Sequence, residues 1–167
     1  AGLHDDDVAP RGRRRLAHLV LGVGVELGEE NSRARTRRLR TGAAHAAYAQ
    51  ARDELQARIP TGPDNALLHA ALARALSGLG EHAEAMRIAE AAAAMPTQSV
   101  LDQEQARLSL AEVRMRAGRA DDAVDGLREL MRASAGGLLS VHALRLDPTW
   151  DALRGTPAFA ALLQELE

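Results

Sequence analysis

The strongest constraint on this chain of 167 residues is that it matches itself at an offset of 38, the distance from Gly80 to Gly118. Leu79-Gly-Glu-His-Ala-Glu-Ala85 aligns with Ala117-Gly-Arg-Ala-Asp-Asp-Ala123, and each stretch joins two helix-forming runs. A helix, a Gly turn and a second helix that recur at a fixed period describe a helical-repeat array. One pair cannot bury its apolar face alone, so neighbouring pairs stack. Gly42 lies one further offset upstream of Gly80, which marks residues 28–60 as a third, degenerate copy.

Composition supports an all-α fold. The hydrophobic share is 46%, much of it Ala and Leu, with one Tyr, one Trp and one Phe. Ala and Leu lead the helix-propensity scale, whereas strands draw on the Val, Ile and aromatics that are scarce here. All 21 basic residues are Arg. With the Ala load, this points to the coding bias of a GC-rich bacterial genome, so Arg content is weak evidence for phosphate binding. A net charge of −2 argues against the whole chain binding nucleic acid. The absence of Cys excludes disulfides and thiolate metal sites. The longest apolar run, Leu19 to Val25, is far shorter than the roughly 20 residues of a membrane span. No signal peptide is recognisable at Ala1, and the start without Met suggests a piece of a longer protein.

Along the chain, residues 1–12 carry an Asp triplet, Pro10 and Gly12 and are expected to be a flexible lead-in. Leu16, Leu19, Val20, Val23 and Leu27 suit a helix over 13–27, against which Gly22 and Gly24 act. Residues 29–41 are polar, and a helix there would be weakly anchored. Helices are then expected over 43–58, 66–78, 82–94 and 99–117, followed by one that runs from Gly118 to Gly136-Gly137. Asp64 or Asn65 caps the helix over 66–78, and Ser99 caps the one over 99–117. Asp147-Pro148 and Thr156-Pro157 each set a capping residue before a Pro, which predicts short helices over 148–153 and 157–166. Trp150 and Phe159 then become the apolar plugs of a C-terminal cap over 138–167. The helical domain as a whole covers 13–167, with copies at 28–60, 65–96 and 99–135.

Little in the chain carries catalytic chemistry. No two of the six His residues stand three or four apart, the spacing that sets two metal ligands on one helix face. Gly22-Val-Gly24 with Gly28 has the wrong spacing for a phosphate loop. Asp121-Asp122 suits a helix N-terminus better than a paired carboxylate. No enzyme activity, metal or cofactor is therefore expected. The run Arg33, Arg35, Arg37, Arg38 and Arg40 is a candidate contact for nucleic acid or another anion, set against a solvated face in an Arg-biased protein. No aromatic platforms accompany it.

Ala73…Gly80…Ala85…Pro96 and Ala111…Gly118…Ala123 resemble tetratricopeptide repeats, with small residues where the helices of a pair approach and Gly at the turn. The Trp and Tyr usual in the first helix of such a repeat are absent. The offset also exceeds the usual 34, which puts an insertion around Thr97–Gln103. Leu144-Arg-Leu-Asp-Pro-Thr-Trp-Asp-Ala-Leu-Arg-Gly-Thr-Pro-Ala-Phe-Ala-Ala-Leu-Leu163 resembles the ending of many bacterial tetratricopeptide-repeat regions. Such regions commonly follow a kinase, a nucleotide cyclase or a winged-helix domain, sometimes across a membrane helix. The resemblance implies a right-handed superhelix of antiparallel pairs and a non-catalytic docking module for a protein or peptide partner, cytoplasmic or periplasmic. It implies a concave groove lined by Ala70, Arg74, Ser77, Leu108, Glu112 and Met115. Leu16–Leu27, without an obvious cover, is a candidate contact for a missing domain or a second copy.

Overall fold

The structure, a computed structural model, describes residues 41–133 and 139–166. The expectations for the lead-in, the helix over 13–27, the Arg33–Arg40 run and the Leu16–Leu27 contact lie outside the described residues. Residues 45–167 form one compact unit. All regular structure among the described residues is helical: α1 over 41–58, α2 Ala66–Gly78, α3 His82–Ala94, α4 Val100–Arg116, α5 Ala120–Ala133, α6 Val141–Leu146 and α7 Pro157–Glu165. Short 3-10 turns follow α1 at Ile59–Thr61 and α6 at Pro148–Trp150.

Local chemistry sets the boundaries. Asn65 Oδ1 accepts a hydrogen bond from Leu68 N at 3.1 Å and starts α2; Ser99 Oγ accepts from Asp102 N at 3.2 Å and starts α4. At the end of α2, Glu81 N donates to Leu76 O and Gly80 N to Ser77 O, with Gly80 at φ 85°. At the end of α4, Arg119 N donates to Arg114 O and Gly118 N to Met115 O, with Gly118 at φ 80°. Both are Schellman turns, and each needs the left-handed backbone that glycine adopts freely. Asp121 and Asp122 occupy the first turn of α5, where carboxylates favour the helix dipole.

Two expectations for the C-terminal segment change. Residues 148–153 are not an α-helix. Leu153 N bonds Trp150 O, Arg154 N bonds Asp151 O and Thr156 N bonds Leu153 O, so the chain descends in three-residue turns. Helix α6 was not expected. It is six residues long, capped by Ser140 Oγ accepting from Ala143 N, and buries only Leu144.

Helix α2 packs on α3 and α4, α4 also packs on α3 and α5, and α5 meets α7. Two larger cores result. In one, Leu72, Ala73 and Leu76 of α2 meet Ala85, Ile88 and Ala89 of α3 and Leu110 and Val113 of α4, with Leu55 of α1 against the edge. In the other, Ala111 of α4 and Ala123, Val124 and Leu127 of α5 meet Leu144, Trp150, Leu153, Phe159 and Leu162. A small cluster of Ala66, Ala70, Ala92 and Ala106 closes the start of α2 against α3 and α4. Arg128 Nε donates to Glu165 at 3.0 Å and ties α5 to α7.

Candidate functional site

Of the residues expected to line a groove, Arg74 alone stands in the open. Ala70 is buried in the small alanine cluster, and Ser77 and Glu112 are also buried. Leu108 and Met115 are half-buried and lean on the core around α5 and α7. The physical reason is the contact between α2 and α4: these two helices pack on each other, so positions facing along that seam are covered. Arg74 and Glu112, both expected to line the groove, face each other across the seam. Arg74 Nε lies 2.8 Å from Glu112 Oε2, with the Arg side chain 44% exposed and the Glu side chain 7% exposed.

The accessible feature at this place is a cleft of about 200 Å³ one side removed from the seam. Tyr48, Ala51 and Leu55 of α1 form one wall, Ala71, Arg74 and Ala75 of α2 the other, and Arg116 of α4 closes the end. The Tyr48 ring lies flat on Gly78, where a Cβ would fall 2.5 Å from the ring. Only glycine at this place lets α1 approach so closely. The Arg116 guanidinium sits 5.8 Å from the Tyr48 ring centroid, a cation–π distance, and Nη1 donates to Arg74 O at 3.5 Å. Both partners of Arg116 are neutral. The cleft thus combines two guanidinium groups with four apolar side chains.

Beneath Arg74, the Glu112 carboxyl is pushed above the usual carboxylate range. Burial disfavours its charged form by more than the attraction of Arg74 and Arg116 favours it, and Asp147 adds repulsion. Its 2.8 Å contact with Arg74 is close but not aligned as a hydrogen bond, so Oε2 is buried without one. Ser77 Oγ, one turn from Arg74 on α2, is likewise buried without a hydrogen-bond partner among protein atoms.

Tyr48 and Arg116 did not emerge from the sequence as site residues. The available signals were that Tyr48 is the only Tyr in the chain and that Arg116 stands one helical turn after Glu112. A second, larger cleft of about 450 Å³ lies where α2 and α4 begin, among Asp64, Asn65, Leu67, Pro96, Thr97 and Asp102. Its Asn65 side chain is already committed to capping α2. Near it, Val100 and Leu101 expose 74% and 58% of their surface. His69 Nε2 hydrogen-bonds Pro63 O at 2.8 Å. Among the described residues, no group of three or more His, Asp or Glu is placed to hold a metal ion, and no helix is long and apolar enough to cross a membrane. No protein-family model, curated protein or solved structure matches this chain.

Proposed function

We propose that the chain is a docking module of stacked helix pairs, of tetratricopeptide-repeat type, which binds a segment of another protein without catalysis. The observation that carries this reading is the equivalence of its two turns. Gly80 and Gly118 share the left-handed conformation and the same pair of Schellman hydrogen bonds, displaced by the offset of the sequence match. Burial follows the same offset: Ala73 and Ala111 in the first helix, then Ala85, Ala89 and Ala92 against Ala123, Leu127 and Leu130 in the second. Two hairpins alike in turn and in buried face, laid side by side, form a unit that extends by stacking. Such arrays bind partners on their helix surfaces. The α1–α2–α4 cleft is the place on this surface where charge, an aromatic ring and apolar side chains converge, a combination suited to a peptide.

Selection of random displayed peptides on the full chain tests the proposal. Peptides that bind the parent are expected to lose about tenfold in affinity on Arg74→Ala or Arg116→Ala. They are expected to be indifferent to Glu90→Ala, an exposed position on α3. Failure to select any peptide, or selected peptides that ignore both Arg substitutions, would overturn the assignment.

A further inference from the structure

Two arginines line one cleft, yet their charges are not equally available. Among the described residues, Arg116 meets a carbonyl and a ring and feels the Glu112 carboxyl at longer range, whereas Arg74 is held directly by that carboxylate on its buried side. That carboxylate is poorly placed for a structural ion pair. It is almost wholly covered, it makes no aligned hydrogen bond through Oε2, and a buried carboxyl at this position is destabilising when charged. A hydrophobic or amide residue of similar size would fill the space between α2 and α4 at less electrostatic penalty. The carboxyl does have one property that those lack: it can give up its hold on Arg74 by taking a proton.

We propose that Glu112 is a built-in competitor for the ligand of this cleft: its carboxylate holds Arg74 back from an acidic peptide segment, and its protonation releases Arg74 to that segment. This rests on the docking role above and adds the chemistry and regulation of the partner. The charged groups that act on Glu112 are Arg74 from α2, Arg116 one turn along α4 and Asp147 at the end of α6. Asp147 is held below the usual carboxylate range by the Thr149 amide and hydroxyl. Of the two carboxyls, Glu112, raised by burial, takes up its proton before Asp147 as pH falls. With Glu112 ionised, the site carries two positive groups and one internal negative group. With Glu112 neutral, both guanidinium groups face the cleft uncompensated. A ligand carboxylate with an ordinary pKa remains charged while the buried carboxyl, whose pKa is raised, is already protonated, so a window exists in which only the competitor is neutral. Ala51, Leu55, Ala71 and Ala75 then favour small or aliphatic residues beside the ligand carboxylate.

The peptide selection described above, run on the full chain at about pH 5.5 and about pH 8, tests this, with anisotropy measured on the recovered peptides and on their Asp→Asn or Glu→Gln analogues. Acidic peptides are expected, bound about fivefold more tightly by the parent at the lower pH, with the amide analogues showing no such gain. Glu112→Gln is expected to bind the acidic peptides more tightly than the parent at pH 8 and to lose the pH dependence. Arg116→Gln is expected to bind about fivefold more weakly at both pH values while keeping it. Thermal melts of each variant establish that it folds, and Arg116→Gln, at a partly exposed position, stands as the second variant should Glu112→Gln not. Peptides without acidic preference, or acidic peptides whose affinity does not respond to pH or is weakened by Glu112→Gln, overturn this inference and leave the docking role standing. Recovery of no peptide at all overturns both.

Discussion

Burying Glu112 between α2 and α4 makes the stability of the fold pH-dependent in a definite direction. Because burial raises its pKa, the folded protein holds this proton more tightly than the unfolded chain does. Its contribution is most favourable below the ordinary carboxylate range and is lost as pH climbs through the raised folded value. Asp147 and Glu84 run the other way. Their carboxyls are depressed, by the Thr149 bonds and by Arg87 respectively, and their contributions fade only as pH falls below the ordinary range. The two windows separate in a comparison of parent with Glu112→Gln. The variant is expected to melt on the order of 2 °C higher near pH 7, with the gap closing toward pH 4. A lower melting temperature at neutral pH would show that the Arg74 attraction outweighs desolvation. A second residue-scale prediction concerns Gly78. Alanine there is expected to destabilise the parent by about 1–3 kcal/mol, because the Tyr48 ring occupies the space. In a Tyr48→Ala background the same change is expected to stabilise by about 0.5 kcal/mol through helix propensity. A double-mutant cycle read by urea denaturation checks the reversal of sign. Neither Gly78 nor Tyr48 announces this contact in sequence, since it joins residues on helices separated by the turn at Ile59–Thr61.

At the scale of elements, the paired turns invite a direct comparison. With φ at 85° and 80°, Gly80→Ala and Gly118→Ala are each expected to cost about 1–2 kcal/mol, and Asn at either position less. Near-equal losses in chemical denaturation would show that the two hairpins close in the same way; a loss at one turn alone would show that they do not. The helices around these turns were legible before the structure. Both α2 and α3 occupy the expected spans, α2 between its cap and the Gly80 turn and α3 between that turn and Pro96, because those signals are local. The segment after Ser140 was less so. Asp147-Pro148 starts a helical turn as expected, and Asp147 accepts from Thr149 N at 2.9 Å. Three-residue bonding then carries the chain past Trp150 and Leu153, both buried, to Thr156. A capping pair signals where a turn begins, but the need to seat two large side chains in one core decides how tightly it winds. Helix α6 is too short for periodicity to register, and it exists because Leu144 reaches that same core.

At the scale of the whole compact unit, α4 is the shared member. It gives Leu110 and Val113 to the core with α2 and α3, and Ala111 to the core with α5 and the C-terminal elements. A helix covered on two sides has no single apolar stripe, and its sequence, with Glu112 between Ala111 and Val113, reads as less amphipathic than that of α5. Ala73 and Ala111 stand one offset apart, yet residues one offset apart need not face the same surroundings, and the expected groove positions are covered for that reason. Ala70, Ser77 and Glu112 lie where α2 and α4 meet, and the open cleft moved to the other side of Arg74, against α1.

The sequence alone determined what depends on neighbours along the chain: the helical class, the spans of α2 to α4 to within a residue, the glycine turns, the caps at Ser99 and Thr156, and the small residues that allow close packing. Those signals act within one or two helical turns and need no partner. Only the tertiary structure decided which charged groups are solvated. That Glu112 is buried, that it meets Arg74 from another helix, and that Tyr48 and Arg116 complete a cleft with Arg74 all follow from how α1, α2 and α4 pack. Desolvation and Coulomb attraction depend on distances through space, and spacing along the chain does not fix those.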